Sequence, residues 1–532
     1  MSHDVIIVGS GAAGSVIARR LIDQTDSRVL LLEAGGEAEN AAVHDPARSH
    51  ELWHAEEDWD YLTVPQHSAG GRRWHLPRGK VIGGSTSTNG MIYIRGWHGD
   101  FDYWAYLGNA GWTYQDVLPL FKRGEDFDGG GSEYRGADGP LRVISRYEPH
   151  PVAAALIEAS VQWGMPHVPD HNGASLEGAG LAQFTISGGR RFSAADAFLT
   201  PVRESDRLEI LTGTRATKLV FDGTRCTGVE VRRGGGGGVL IADAEVIVCA
   251  GTLESPKLLM LSGIGDPEQL ERLGIDVRVA LPGVGANLHD HTLTPLVFEA
   301  ARPVPPALTG ATQHQAHLFW HSRDGLPAPD LQPLMFNVPL YPEGITGPDN
   351  AFTFLPGLVR PASRGTLRLA SADPEVPPVI DPGYLTAAAD VDALVSAVSL
   401  CREIMAQPAI AEWTKREVFP GPAARTEAEI GRYVRDNAIT YHHQVGTCKM
   451  GVDAMAVVDP ELRVRGVEGL RVADASVMPA VTTGNTMAPT NMIGERAADL
   501  IAAAISPRPG APPAGLVASR HGSESPRAFR GS

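Results

Sequence analysis

The sequence predicts a mixed α/β fold, and three observations lead there. The chain opens on an apolar, β-branched run, Val5 to Val8, that breaks at a glycine cluster and resumes with helical periodicity. At 532 residues it is too long for one simple core, so two domains, in series or interleaved, are expected. Hydrophobic residues make up 43% and charged residues 20%, the balance of a globular protein.

The N-terminal unit is the most informative stretch. Residues 4–21 read DVIIVGSGAAGSVIARRL, and a second strand, RVLLLEAG, ends at Glu33 and Ala34. This is strand, GxGxxG, helix, strand and acidic residue, with Glu33 placed 19 residues past Gly14. Gly9 permits the tight turn, Gly11 lets backbone approach a pyrophosphate, and Gly14 lets helix and strand pack closely. Ala12 and Ala13 open the helix, whose free N–H groups and partial positive charge suit phosphates. Glu33 can accept hydrogen bonds from a ribose diol, and its charge would repel a 2′-phosphate. A Rossmann-like unit binding FAD or NAD, rather than NADP, is the expectation.

Further motifs follow in order. Residues 79–96 read GKVIGGSTSTNGMIYIRG, where Gly83, Gly84 and Ser85 form a loop whose backbone can press on a flat ring, followed by Thr88, Asn89 and Gly90. GTLESPKLLMLSGIG (251–265) comes after the apolar run EVIVCA. LPGVGANLHDH spans 281–291, TYHHQVGTCKMG spans 440–451, and RVADASVMP (471–479) leads to TTGNTMAPTNMIGERAADL.

On these segments the chain resembles the glucose–methanol–choline (GMC) oxidoreductases over roughly residues 3–503, closest in character to the choline oxidase and choline dehydrogenase branch. The resemblance implies FAD and a small-molecule alcohol oxidised to an aldehyde, with oxygen or another electron acceptor. It implies His443 as active-site base and Asn485 as its partner, with Asn485, Thr486, Met487 and Asp474 near the cofactor. The alternative for Asp474 is a turn cap. It also implies an FAD domain of 1–149, 191–296 and 439–505 interleaved with a substrate domain of 150–190 and 297–438, an antiparallel sheet covered by helices. RGTLRLAS (364–371) reads as a strand and DVDALVSAVSLCREIMAQ (390–407) as an amphipathic helix, in keeping with that division.

The chain also departs from its relatives. Where some attach FAD through a histidine, Thr88 stands here, so non-covalent FAD is expected. Met487 occupies a position that is polar in many relatives. Choline oxidases place an acidic side chain against a quaternary ammonium, and TQHQAHLFW (312–320) has no carboxylate. An aromatic or aliphatic primary alcohol is therefore expected ahead of choline or sugars. Phe319, Trp320, Phe336 and Phe352 are candidates for the pocket wall or for core. His442 either faces substrate or packs away. A hydroxynitrile lyase and a non-catalytic flavin-binding protein are the competing readings.

A neutral imidazole takes up a hydroxyl proton near neutral pH, and an amide steadies the developing alkoxide. The helix beginning after Asn485, with Pro489 in its first turn, would aim partial positive charge at the pyrimidine end of the flavin.

Bulk properties exclude other partners. A net charge of −16 disfavours nucleic acid and anionic membranes. Cys226, Cys249, Cys401 and Cys448 have no metal-type spacing and read as reduced, mostly buried thiols of a cytoplasmic protein. No targeting segment or membrane span is evident, and the composition is compatible with a homodimer. His289, Asp290 and His291 lack a third remote ligand, so no metal is expected. GGGGG (234–238) reads as a hairpin tip, and the Pro-, Gly- and Ser-rich tail 506–532 as disordered.

Overall fold

The computed structural model describes residues 2–342 and 344–505; the tail 506–532 lies outside the described residues. The fold starts as its sequence pattern requires. Strand β1 (His3–Val8) carries Val5, Ile6, Ile7 and Val8, all buried, because helices and loops cover both faces of its sheet. Gly9 turns the chain at φ +103°, and helix α1 (Ala12–Gln24) runs back to feed β2 (Val29–Leu32). A side chain at Gly14 would stand 1.9 Å from the Gly9 carbonyl, so helix and turn meet at a distance only glycine allows.

β1 lies between β2 and the long strand Gly236–Val248, all parallel, and Leu208–Leu211 and Leu470–Val472 add one strand on either side. The far end of Gly236–Val248 belongs to an antiparallel meander with Thr214–Asp222 and Arg225–Arg233. Gly234 and Gly235, both at positive φ, form that hairpin tip, while Gly236, Gly237 and Gly238 already belong to the strand.

Helix α2 (Met487–Ala504) closes this half of the molecule against α1. A Cβ at Gly494 would be 2.8 Å from the Ala13 carbonyl, so the crossing is a backbone-to-backbone approach. The carboxylate of the buried Glu495 takes Arg20 at 2.8 Å and Arg123 at 2.7 Å. Removing either partner would leave part of that buried charge uncompensated, at a cost on the order of 3–5 kcal/mol.

The second sheet has six antiparallel strands in the order Thr414–Phe419, Leu296–Ala300, Ala351–Leu355, Leu334–Phe336, Ala316–Phe319 and Gly178–Leu181. Helices Pro151–Trp163 and Ala388–Met405 cover it through Leu156, Leu394, Val398 and Ile404. The strand read at 364–371 is Thr366–Arg368, paired with Val379–Asp381. Its Leu367 and the facing Ile380 pack with the core of the parallel sheet. A third apolar cluster, with Ile92, Leu293, Leu334, Leu355 and Tyr441, lies where the two halves meet. The chain thus forms a Rossmann-like parallel sheet interleaved with a helix-covered antiparallel sheet. All four cysteines are buried and unpaired, and among the described residues no helix is long and apolar enough to cross a membrane.

Candidate active site

A cavity of about 690 Å³ opens between the two sheets. Part of its wall is backbone. The N-termini of α1 and α2 both reach it, neither has a side-chain cap, and neither has an acidic residue in its first turn. Two sets of free N–H groups and two positive dipole ends therefore face one space. At Gly11 nothing lies within 4 Å of where a Cβ would stand, so this residue faces open cavity. Gly84, at φ +53°, would put a Cβ 2.9 Å from Gly11 Cα, which brings the 83–90 loop directly against the first turn. The walls also include Gly9, Ala12, Ala13, Glu33 and Ala34 from the first unit, and Ser85, Thr88, Asn89 and Gly90 from the loop. Gly14 and Gly83 are absent from the wall; the first packs helix on turn, and the second donates its N–H to Ser10 Oγ at 3.1 Å.

Glu33 is 5% exposed and already held. One oxygen accepts from the Ser10 N–H at 3.1 Å and the Ser10 hydroxyl at 2.6 Å, and the other from the Gly35 N–H at 2.8 Å. Burial pushes its pKa up and these bonds pull against the rise. Asp474 likewise has raised pKa from burial, opposed by Ser255 and Ser476. It accepts from the Gly251 N–H at 2.8 Å and the Ser476 N–H at 2.8 Å, so it caps the starts of two helical segments while also lining the cavity. Arg191, which has no sequence signature, donates to the Asn89 carbonyl and side chain at 2.6 and 2.8 Å and fixes that loop from behind.

Another part of the wall is side chain, and it begins where α2 does, because Asn485 directly precedes the N-cap Thr486. His443 Nε2 lies 3.1 Å from Asn485 Nδ2, and both residues line the cavity. Asn485 Oδ1 accepts from Gln332 Nε2 at 2.9 Å, which leaves the amide NH₂ to face the imidazole. Burial drives the His443 pKa well down, with His291, His442, Arg78 and His317 adding to the effect, so the ring is neutral.

The segment carrying His443 hangs on one buried carboxylate. Asp290 accepts from the His443 N–H at 2.7 Å, Gln444 Nε2 at 2.7 Å, Thr440 Oγ1 at 2.6 Å and the Tyr384 hydroxyl. Asp290 is thus an anchor that the sequence offered only as a weak metal candidate. Its neighbour His289 bridges the Asn287 carbonyl at 2.6 Å and the Val481 N–H at 2.9 Å.

His442 adopts φ +65°, costly for a non-glycine residue, and Arg78 holds its carbonyl at 2.6 Å. Its ring packs on Trp53 at 5.4 Å and also lines the cavity, and burial lowers its pKa to about 3. The stretch 312–320 reaches the cavity through Gln313 and His314. Of the four aromatic candidates only Phe336 lines it; Phe319 and Phe352 are core, and Trp320 packs edge-on against Trp163. Among the described residues, one group has metal-ligand side chains together, His54, Asp60 and His75. Their rings stack at 3.9 Å, and hydrogen bonds to Asp60 and Asp58 account for the arrangement.

A cavity reached by two uncapped helix N-termini and a glycine-rich turn, with an imidazole–amide pair in its wall, suits a dinucleotide-dependent oxidoreductase. The GMC oxidoreductase family matches residues 3–293 with its N-terminal part and 361–494 with its C-terminal part. The chain belongs to that family: it is an FAD-dependent oxidoreductase acting on CH–OH donors. It is 40% identical to an oxygen-dependent choline dehydrogenase of Rhizobium johnstonii, over 94% of this chain and 96% of that one. Pyridoxine 4-oxidase from Mesorbium loti is 36% identical with a TM-score of 0.90, covering 94% of this chain and 99% of that one. An FAD-dependent oxidoreductase from Chaetomium thermophilum is 26% identical with a TM-score of 0.86, covering 94% and 99%.

Proposed function

We propose that this protein oxidises a neutral primary alcohol to the aldehyde, with His443 as base and Asn485 as hydrogen-bonding partner. The observation that carries the reading is the 3.1 Å contact between these two side chains in a cavity that two uncapped helix starts also reach. FAD, when bound, supplies the hydride acceptor. Its pyrophosphate suits Gly11, Ala12 and Ala13, its ribose suits Glu33, and its pyrimidine end suits Thr486 and Met487 at the start of α2. The 83–90 loop would lie against the ring, and Thr88 cannot form a histidyl link, so FAD is held non-covalently. His443 Nε2 takes the hydroxyl proton, and the Asn485 amide donates to the same oxygen as negative charge develops there.

The substrate wall supports a neutral substrate. Among the described residues, those that 297–438 contributes to the cavity are six apolar side chains with Gln313 and His314, and none is charged. The acidic residues of the wall, Glu33, Glu57, Asp58, Glu254 and Asp474, come from 1–149, 191–296 and 439–505. We assign those three segments to cofactor binding and 150–190 with 297–438 to substrate binding. A choline-type substrate is the second reading, favoured by the identity to choline dehydrogenase.

Anaerobic mixing with a panel of alcohols tests this. Benzyl or aliphatic primary alcohols should bleach the flavin absorbance faster than choline. Faster bleaching by choline would establish the second reading. An unchanged spectrum with cyanide released from a hydroxynitrile would establish a lyase, and no turnover at all a non-catalytic flavoprotein. Assay of peroxide beside an artificial dye then identifies oxygen or another carrier as electron acceptor.

A further inference from the structure

His291 is fully buried and, by the reading above, touches neither cofactor nor substrate. Its Nδ1 nevertheless lies 3.0 Å from Nδ1 of His443, with the two rings edge-on at 5.1 Å and 85°. Two imidazole nitrogens at that distance share one proton, so one ring donates and the other accepts. Which does so decides whether His443 can act as a base. Its far nitrogen, Nε2, is the one beside Asn485 and the cavity.

One end of this chain of groups is set by a partner. The Asn485 carbonyl is taken by Gln332, so Asn485 presents N–H to His443 Nε2. That nitrogen then offers its lone pair, and His443 carries its own proton on Nδ1. His291 Nδ1, 3.0 Å away, is left to accept it. The His291 proton then sits on Nε2, which is buried and has no hydrogen bond competing for its lone pair.

We infer that His291 is a positioning residue, accepting a hydrogen bond from His443 Nδ1–H and so holding the base in the tautomer whose Nε2 is free. This rests on His443 being the base. When the alcohol O–H bond breaks and the His443 Nε2–H bond forms, the new imidazolium keeps a partner for its other N–H. The remaining charged and titratable neighbours do not compete for that place. Arg360 faces His291, and His442, Arg78 and His317 face His443. Tyr441 stacks on the face of His443 at 4.6 Å, and Asp290 holds its backbone N–H rather than its ring.

Two variants and one spectroscopic measurement test the inference on the full-length FAD-loaded enzyme. His291→Leu removes the acceptor, and His291→Asn replaces it with an amide oxygen near the place of Nδ1. Nitrogen-15 histidine spectra, with the His443 signals identified by their loss in His443→Gln, should show wild-type His443 protonated at Nδ1 and bare at Nε2. In His291→Leu the two tautomers should mix, and anaerobic flavin reduction should slow on the order of ten- to a hundredfold at unchanged FAD content. His291→Asn should restore most of the rate and the single tautomer.

A wild-type His443 carrying its proton on Nε2 overturns the inference whether or not the variants fold. So does a His291→Leu enzyme with wild-type rate and spectrum, or a His291→Asn enzyme as slow as His291→Leu. If no alcohol reduces the wild-type flavin, the reading of His443 as base fails separately, and the tautomer spectra alone decide for or against His291.

Discussion

Two parts of the cavity wall are built from different material. The part proposed for the cofactor is backbone: glycines and two uncapped helix starts. The part proposed for the chemistry is side chain: an imidazole and an amide held by Asp290, Gln332 and His291. A backbone wall recognises what is invariant in its ligand, a diphosphate and a flat ring, and tolerates only substitutions that keep its contour. A side-chain wall fixes chemistry and specificity through groups that can each be exchanged without altering the fold.

The largest effect should come from filling the backbone part of the wall. Gly11 has ordinary φ and open space where its Cβ would be, so Gly11→Val should fold. Its side chain would occupy the ground left for the pyrophosphate, and the purified variant should be colourless. A yellow Gly11→Val protein with FAD at one per chain would break the assignment of that part to the cofactor. Gly14→Val differs instructively: its Cβ would strike the Gly9 carbonyl, so that variant should lose stability before it loses affinity.

At the side-chain part of the wall the expectation reverses, with cofactor kept and chemistry lost. His443→Ala should retain FAD and slow its anaerobic reduction by roughly a hundred- to ten-thousandfold. Stopped-flow absorbance measures this directly, and a variant as fast as wild type would move the base elsewhere.

The same contrast explains what the sequence made legible. That Gly9, Gly11 and Glu33 meet at one cavity, and that Gly14 packs helix on turn, was readable because close backbone approaches are written in glycine spacing, and spacing survives in one dimension. That His443 and Asn485 share that cavity was readable through family motifs. Asp290 was visible only as an odd residue between two histidines, because its partners Thr440, Gln444 and Tyr384 lie about 90 to 150 positions away. Gln332 and Arg191 carried no signal, since a lone polar residue in a strand or loop looks alike whether it faces water or a buried amide. Phe336 could not be told from Phe319 and Phe352, because period-two alternation marks a strand face without saying which cavity that face meets.

Asp290→Asn sharpens the point at intermediate cost. Four donors converge on this carboxylate, and an amide must turn its NH₂ toward at least one of them. Its least damaging orientation faces the His443 N–H, so the loop bearing His443 should shift. Stability should fall by about 1–3 kcal/mol in denaturant titration, since a buried donor is left unpaired. Flavin reduction should slow while FAD stays bound. A variant of wild-type stability and rate would show that the loop is held by its own turn geometry instead.

The smallest effect expected is in pH, and it separates a buried base from an exposed one. An exposed histidine would be half protonated near its ordinary pKa and would lose activity as pH falls through it. Burial holds the His443 pKa well below that value. The proton-free form is then already complete at neutral pH and stays so on acidification, because protons bind only once pH reaches the depressed pKa. Anaerobic reduction by a neutral alcohol should therefore change by no more than about twofold from about pH 8 to about pH 6. A rate falling tenfold across that window, with FAD still bound and the fold intact by circular dichroism, would mean that the imidazole meets water in the working enzyme and that the substrate wall is open.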